Sequence, residues 1–157
     1  MRYIQPIKQD LFWAECDLIV IPTNSTLDKH DHLVMGAGVA LQAKKRYPDL
    51  PKKAGEMILP LCKTMKHPEY LLIRIRVSHH AEIALLQTKT DWRLPSPPEL
   101  VRKSLKALNH SVKTTDTKSI AMPLPGAGRG GLSREVSLML VNEELGDLAD
   151  KIVLCGV

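Results

Sequence analysis

The sequence predicts an α/β protein, a three-layer α/β/α sandwich around a central mixed β-sheet. Three observations carry that expectation. Short β-branched apolar runs, of which Asp17-Leu18-Ile19-Val20-Ile21-Pro22 is the clearest, alternate with longer stretches of helical periodicity. Two apolar runs in the middle of the chain, Tyr70 to Val77 and Glu82 to Thr88, are separated only by the turn Ser78-His79-His80 and Ala81, so they form a strand pair inside the alternating pattern. Finally, two glycine-containing stretches each follow an apolar run and open a helix, a strand–loop–helix unit that places a ligand at the end of a sheet.

Taken in order, residues 1–8 read as a short strand with Asp10 near its end. The run from Asp17 to Pro22 is apolar on both faces and is expected to be a central strand. Residues 23–34 are polar and irregular, a loop at the end of that strand. Ala37 to Tyr47 is a helix whose last turn, Lys44-Lys45-Arg46, complements the helix dipole, and Pro48 stops it. Met57 to Cys62 reads as a strand. After the central pair and a proline-rich break, Ser96-Pro97-Pro98-Glu99 reads as a capping box with proline at the first helical position. The helix that follows carries Val101, Leu105, Leu108 and Val112 on one face. Ser119 to Met122 is a buried strand, and Ser133 caps a helix with Val136, Met139 and Leu140 inward. Lys151 to Val157 is a last strand. One domain over residues 1–157 is expected, without repeats or linkers.

Composition narrows the function classes. Aromatic residues are only 4% of the chain, so the core must be aliphatic. A net charge of +5 fits an anionic ligand or a nucleic-acid surface. Three cysteines without a C-x-x-C pair exclude a disulfide framework and a zinc site of that type. The start of the chain has no apolar signal core and no run approaches ~18 apolar residues. No membrane association and a cytoplasmic, monomeric protein are therefore expected.

Candidate chemistry sits between and within the glycine stretches. Pro125-Gly126-Ala127-Gly128-Arg129-Gly130-Gly131 would expose several backbone N–H groups to an anion; the alternative is a flexible turn. The spacing is neither G-x-G-x-x-G nor a P-loop, which argues against a dehydrogenase or an NTPase. Met35-Gly36-Ala37-Gly38-Val39 is a second, weaker cradle, or simply a helix entry. Asn24 is an Asx-turn residue or an amide that holds a sugar hydroxyl or a water. Asp10 is a capping acid or an acceptor for an adenine amino group. Lys89 follows the buried-looking run Ala84 to Thr88, and a lysine partly desolvated at a strand end has a lowered pKa and can attack an aldehydic sugar carbon. Trp92 and Arg93 pack at the surface, or stack on and pair with a nucleic-acid strand. His30-Asp31-His32 and His79-His80 lack the spacing of a metal site, so neither metal nor cofactor is expected.

These residues resemble a macro domain, in the branch that includes DarG antitoxins, which remove ADP-ribose from DNA, and the human terminal ADP-ribose glycohydrolase. The resemblance covers nearly the whole chain. It rests on Gln9-Asp10-Leu11, on Asn24, on Met35 to Gln42 running into Lys44-Lys45-Arg46-Tyr47-Pro48, on Thr88-Lys89-x-x-Trp92-Arg93-x-Pro95-Ser96, and on Pro123-x-Pro125-Gly126-x-Gly128-x-Gly130-Gly131-Leu132. It implies that Asp10 and Leu11 hold the adenine, that Pro125 to Gly131 wrap the diphosphate, and that Asn24 and Met35 to Val39 line the distal ribose. Lys89 matches the catalytic lysine, which attacks or polarises the anomeric carbon. Gly130 stands where the human enzyme carries a second catalytic aspartate, and Ile21-Pro22-Thr23-Asn24 stands for the antitoxin's Asn-x-x-Asn with its first amide missing. The length of Ser25 to Val34 suggests a lid.

The resulting expectation is a hydrolase that removes mono-ADP-ribose from a macromolecule, preferentially DNA, with ADP-ribose as product. ADP-ribosylated single-stranded DNA and a cognate ADP-ribosyltransferase toxin are the implied partners. The alternatives are an ADP-ribose-1″-phosphate phosphatase and a non-catalytic module that reads ADP-ribose or a related nucleotide signal.

Overall fold

The computed structural model describes residues 3–156. Among these residues, six strands and four α-helices follow one another as β1 (Pro6–Lys8), β2 (Leu18–Thr23), α1 (Gly38–Arg46), α2 (Leu50–Ile58), β3 (Leu72–Ser78), β4 (Ala81–Gln87), α3 (Pro98–Lys113), β5 (Ile120–Met122), α4 (Arg134–Leu145) and β6 (Ile152–Gly156). The strands make one sheet in the order β1-β6-β5-β2-β4-β3. All neighbours are parallel except β3, which pairs antiparallel with β4. The three-layer α/β/α sandwich around a mixed sheet is thus the observed architecture. Of the expected first and last strands, residues 1, 2 and 157 lie outside the described residues.

The period-2 geometry of a strand explains the layers. On β2, Leu18 and Val20 enter one core cluster, while Ile19 and Ile21 enter the other. On β4, Ala84 and Leu86 go to the first and Ile83 and Leu85 to the second. The first cluster is closed by Val101, Leu105, Leu108 and Val112 of α3 and Leu140, Val141 and Leu145 of α4. The second is closed by Ala43 of α1 and Leu50, Ala54 and Ile58 of α2. β2 is therefore buried on both faces at the centre of the sheet, as its unbroken apolar run requires.

Three local expectations are corrected. Met57 to Cys62 is not a strand: Met57 and Ile58 end α2, and Leu59–Lys63 forms a 3-10 turn. Leu50, Ala54 and Ile58 repeat every fourth residue and are all buried, so the helical period outweighs the apolar run. Ser96 does not cap α3. The N-cap is Pro97, without a side-chain bond, while Pro98 does sit at the first helical position. Met139 is exposed rather than inward. The inner face of α4 includes Ser137, whose hydroxyl donates to the Pro125 carbonyl at 2.6 Å, and a buried serine hides that face from a purely apolar reading.

The loop from Ser25 to Val34 is braced and does not have the form of a lid. A β-bridge joins Leu27 to Leu33, and the Asp28 carboxylate accepts from the backbone of His30 and His32 at 2.8 and 3.1 Å. Leu33 and Met35 are buried, and Leu33 N–H donates to the Pro51 carbonyl of α2 at 3.0 Å. Gly55 of α2 completes the joint: a Cβ there would overlap the Asp31 carbonyl oxygen. Backbone on both sides cannot yield as a side chain does. Gly55→Ala is therefore expected to cost about 3 kcal/mol, the upper end for overpacking, read as a lower urea midpoint. An unchanged midpoint would mean that α2 and the loop do not meet.

Candidate active site

In a parallel sheet the carboxyl ends of adjacent strands lie at one edge, and ligands bind in the crevice beyond them. β2 lies between β5 and β4, and Thr23 is in register with Gln87. Asn24, the pair Thr88-Lys89 and the loop 125–131 therefore emerge side by side. The two loops beyond β2 and β4 are stitched together. Thr88 N–H donates to the Thr23 carbonyl at 2.9 Å, Ser25 N–H to the Thr90 carbonyl at 2.9 Å, and Trp92 N–H to Thr26 Oγ1 at 3.1 Å.

Asn24 is buried, and its side chain closes the loop. Its Oδ1 accepts from Thr26 N–H at 2.7 Å and its Nδ2 donates to the Val34 carbonyl at 3.0 Å. This Asx turn holds the backbone immediately before Met35 to Val39. Met35 is buried in the cluster beneath α1.

Lys89 is half-buried at the end of β4. Desolvation by burial lowers its pKa from the ordinary lysine value, and the positive charge of Arg129 lowers it further; Asp91 acts in the opposite direction. That charge effect ties the glycine loop to the lysine, since Arg129 lies within it. The Arg93 guanidinium grips Asp91 with two bonds, at 3.1 and 2.8 Å, and Arg93 N–H adds a third at 3.0 Å. His67 Nε2 stands 3.5 Å from Asp91 Oδ2, the oxygen that also accepts from Arg93 Nη2. The Arg93 hydrogen bonds hold the Asp91 carboxyl far below the usual carboxylate range. Trp92 beside it is half exposed.

Two site residues escaped the sequence reading. Gln87 is fully buried and uses its whole amide. Its oxygen accepts from Tyr70 and Leu71 N–H at 2.7 and 3.0 Å, and its nitrogen donates to the Pro68 and Lys89 carbonyls at 3.0 and 3.3 Å. Tyr70 in turn donates to the Asn24 carbonyl at 2.7 Å and contacts Thr23 Oγ1. Burial pushes the Tyr70 phenol well above its ordinary pKa, so it stays a neutral donor. A polar residue inside the run Ala84-Leu85-Leu86-Gln87 was the only signal for this support.

The glycines fall into two kinds. A Cβ on Gly126 would meet Leu132 Cδ1 at 2.7 Å and one on Gly130 would collide with the Ser96 hydroxyl, so these two are glycine for packing. Gly36, Gly38 and Gly128 face open space, so packing does not account for them. Gly38 and Gly128 also have φ of +57° and +69°, a region that favours glycine. Gly38 begins α1, whose N-cap Ala37 offers no side-chain bond, so the first N–H groups of the helix remain available to an anion. Gly131 ends the 3-10 turn Gly128–Gly130, and Pro125 and Ala127 complete the loop.

Asp10 Oδ1 accepts from Phe12 N–H at 2.9 Å and caps the 3-10 turn Leu11–Trp13, and Leu11 is buried. Burial above all raises the pKa of Cys155 on β6, and the negative charge of Asp10 adds to it. The His30 and His32 rings lie 6.1 Å apart and tilted by 49° on the braced loop, and His79 and His80 lie at the exposed β3–β4 turn. A cavity of about 660 Å³ opens at the opposite end of the sheet, lined by Arg74, Arg76, Glu82 and Lys118. Arg74 there is already bound by Glu82, Ser111, Thr115 and Thr117, so its guanidinium is engaged within the protein.

No family model matches the chain. Among solved structures, the macrodomain of Mycobacterium tuberculosis DarG superposes with a TM-score of 0.79 at 25% identity, covering 98% of this chain and 97% of that one. The macrodomain of Thermus aquaticus DarG gives 0.76 at 27% identity, covering 98% and 97%. A Thermosipho africanus DarTG structure in complex with ADP-ribose gives 0.73 at 21% identity, covering 93% of this chain and 39% of that one. The fold and its edge of glycine loops are those of a macrodomain. Within that class the chain is DarG-like: a curated Thermus aquaticus relative named DNA ADP-ribosyl glycohydrolase is 35% identical over 105 residues, 63% of this chain and 27% of the relative. A Mycobacterium tuberculosis relative of the same name is 32% identical over 108 residues, 65% of this chain and 29% of the relative. The match thus spans less than a third of these curated relatives.

Proposed function

We propose that the chain is an ADP-ribosyl glycohydrolase that removes mono-ADP-ribose from a macromolecule, with DNA as the preferred carrier. One observation carries the reading: a half-buried Lys89, its pKa lowered by burial and by Arg129, stands at a strand end flanked by glycine loops that face open space. The likeness to DarG macrodomains supports ADP-ribose as the ligand and DNA as the carrier. The open backbone at Gly36, Gly38 and Gly128 receives the diphosphate, and Asp10 with Leu11 takes the adenine. One amide hydrogen of Asn24 is committed to Val34, and the other orients the ribose or a water. The lone pair of the neutral Lys89 amine attacks the anomeric carbon. A carbon–nitrogen bond forms as the bond to the carrier breaks, and the carrier leaves with the electron pair and takes up a proton. Water then releases ADP-ribose and the free lysine. The reading assigns these steps to one macrodomain over residues 1–157. A cognate ADP-ribosyltransferase would be the source of the modified DNA. A cytoplasmic location is in keeping with three free cysteines.

The test is mass spectrometry of a thymidine-linked ADP-ribosylated single-stranded oligonucleotide. Recovery of the unmodified oligonucleotide is expected. If it stays intact while free ADP-ribose binds, the protein is a reader; if phosphate is released from ADP-ribose-1″-phosphate instead, it is a phosphatase.

The proton on Lys89 gives a signed prediction. Turnover should rise with pH as the ammonium is lost, with a midpoint below the ordinary lysine value of about 10.4. Arg129→Ala removes a charge that lowers this pKa, so the midpoint should move up. Asp91→Asn removes one that raises it, so the midpoint should move down. A kcat/KM profile indifferent to both changes would take Lys89 out of the proton-dependent step.

A further inference from the structure

The net charge of the chain is concentrated on one part of its surface. Residues 38–66 hold Lys44, Lys45 and Arg46 at the end of α1, Lys52 and Lys53 on α2, and Lys63 and Lys66 after it, against only Asp49 and Glu56. Seven basic and two acidic residues account for the whole excess of +5, and the rest of the chain carries fifteen of each sign. All seven basic side chains are exposed, and none forms an ion pair among the described residues. Several cations elsewhere are paired: Arg74 with Glu82, Arg93 with Asp91, Arg102 with Glu143 and Glu144, and Lys113 with Asp147. The α1–α2 segment therefore carries a net charge of +5 of its own, with Asp31 of the loop 25–34 packed against it at Gly55.

This face is continuous with the candidate site. Lys66 adjoins His67, and the contact of His67 with Asp91 sets that end of the segment beside Trp92 and Arg93, three residues from Lys89. At the far end of α1 the Arg46 guanidinium lies 5.0 Å from the Phe12 ring and 5.5 Å from the ring of Trp13, which is 73% exposed. One end thus pairs an exposed indole with a guanidinium; at the other, half-exposed Trp92 adjoins Arg93, whose guanidinium is held by Asp91. From Gly38 to Arg46, α1 spans about 12 Å, roughly the length of three or four stacked nucleotides.

Resting on the glycohydrolase reading, we propose that the α1–α2 face is the docking track for the single-stranded nucleic acid that carries the modified nucleotide. Its phosphates run over the lysines while unpaired bases stack at Trp92 and Trp13. An acidic peptide would match the charge but leave the indoles without flat partners. Stacking on aromatic side chains is the property of unpaired bases.

The test measures binding of an unmodified, fluorescently labelled thymidine 20-mer to the full chain by anisotropy over a salt series. Free ADP-ribose binding is followed in parallel by calorimetry. Wild type should bind the oligonucleotide with an affinity that falls with salt. Lys44→Glu with Lys45→Glu, and separately Lys63→Glu with Lys66→Glu, should each weaken binding at least about tenfold and reduce the salt slope by roughly 1.4. Trp13→Ala should weaken it with the slope unchanged. ADP-ribose affinity should be unaffected in all of them. A control, Lys106→Glu with Lys118→Glu outside this face, should bind like wild type. No binding by wild type, a control as damaging as the track variants, or binding to phosphatidylserine vesicles without binding to the oligonucleotide would each overturn the track. Because the probe carries no ADP-ribose, the two readings fail separately. A protein that cleaves modified DNA but ignores the plain oligonucleotide loses only the track, and one that binds it without cleaving modified DNA loses only the glycohydrolase.

Discussion

Lys89→Ala is expected to lose on the order of 10³-fold or more in turnover of ADP-ribosylated oligonucleotide while ADP-ribose binding is retained. The two effects separate because the ligand is held elsewhere. The open backbone of Gly36, Gly38 and Gly128 and the uncapped start of α1 do not depend on the lysine side chain. Nor does the support beneath it: Gln87 and Thr88 hold the strand end through their own side chains and backbone. The alanine variant should therefore fold and bind normally, and calorimetry with ADP-ribose checks this directly. Lys89→Arg sharpens the assignment. Arginine keeps the charge but supplies no free amine near neutral pH, so an attacking lysine predicts that arginine is as inactive as alanine. Arginine with substantial activity would mean that the group polarises the anomeric carbon by charge alone. Full turnover in the alanine variant would sink the catalytic role altogether.

The second large effect is expected at Gly130. Its virtual Cβ collides with the hydroxyl of Ser96, a buried oxygen without a partner among the described residues. Ser96 cannot retreat freely, because its N–H donates to the Gly130 carbonyl at 2.7 Å and Pro97 and the start of α3 follow at once. Gly130→Ala should push the loop 126–131 outward, weaken ADP-ribose binding at least about tenfold and cost roughly 1–3 kcal/mol of stability. Adding Ser96→Gly removes the obstructing atoms, so the double variant should recover most of the binding. Ser96→Ala alone should be neutral or stabilising, since it deletes an unpaired buried hydroxyl. Additive losses in the double variant would mean that Ser96 and Gly130 do not meet. The same packing bears on the aspartate that the human terminal glycohydrolase, in the resemblance above, carries at this place: Ser96 leaves no room here for any side chain at 130.

Much of the frame was legible because it is local. β2, β4, α1 and α3 follow from apolar period, proline position and helix-end charge, all read within a dozen residues. The two glycine loops were legible for the same reason, and so was Lys89, since a lysine directly after a buried run must lie at a strand end. What failed had competing local signals. Met57 to Cys62 is apolar enough for a strand, yet the four-residue repeat through Leu50, Ala54 and Ile58 makes Met57 and Ile58 the end of α2, with the rest in a 3-10 turn. Ser96 has the spacing of a cap, yet its side chain is spent against Gly130.

Neighbouring residues were enough to specify an aliphatic three-layer α/β/α protein with two glycine loops, a strand-end lysine and a net positive charge. Packing across the sheet settled that Gln87 and Tyr70 brace the floor of the site, that Asp91 is held by Arg93 and approached by His67, that the charge of Arg129 acts on Lys89, and that Ser96 dictates glycine at 130. Those contacts, apart from Asp91 with Arg93, join segments far apart in the chain. Their partners are chosen by the parallel register of β5, β2 and β4, which no local spacing encodes.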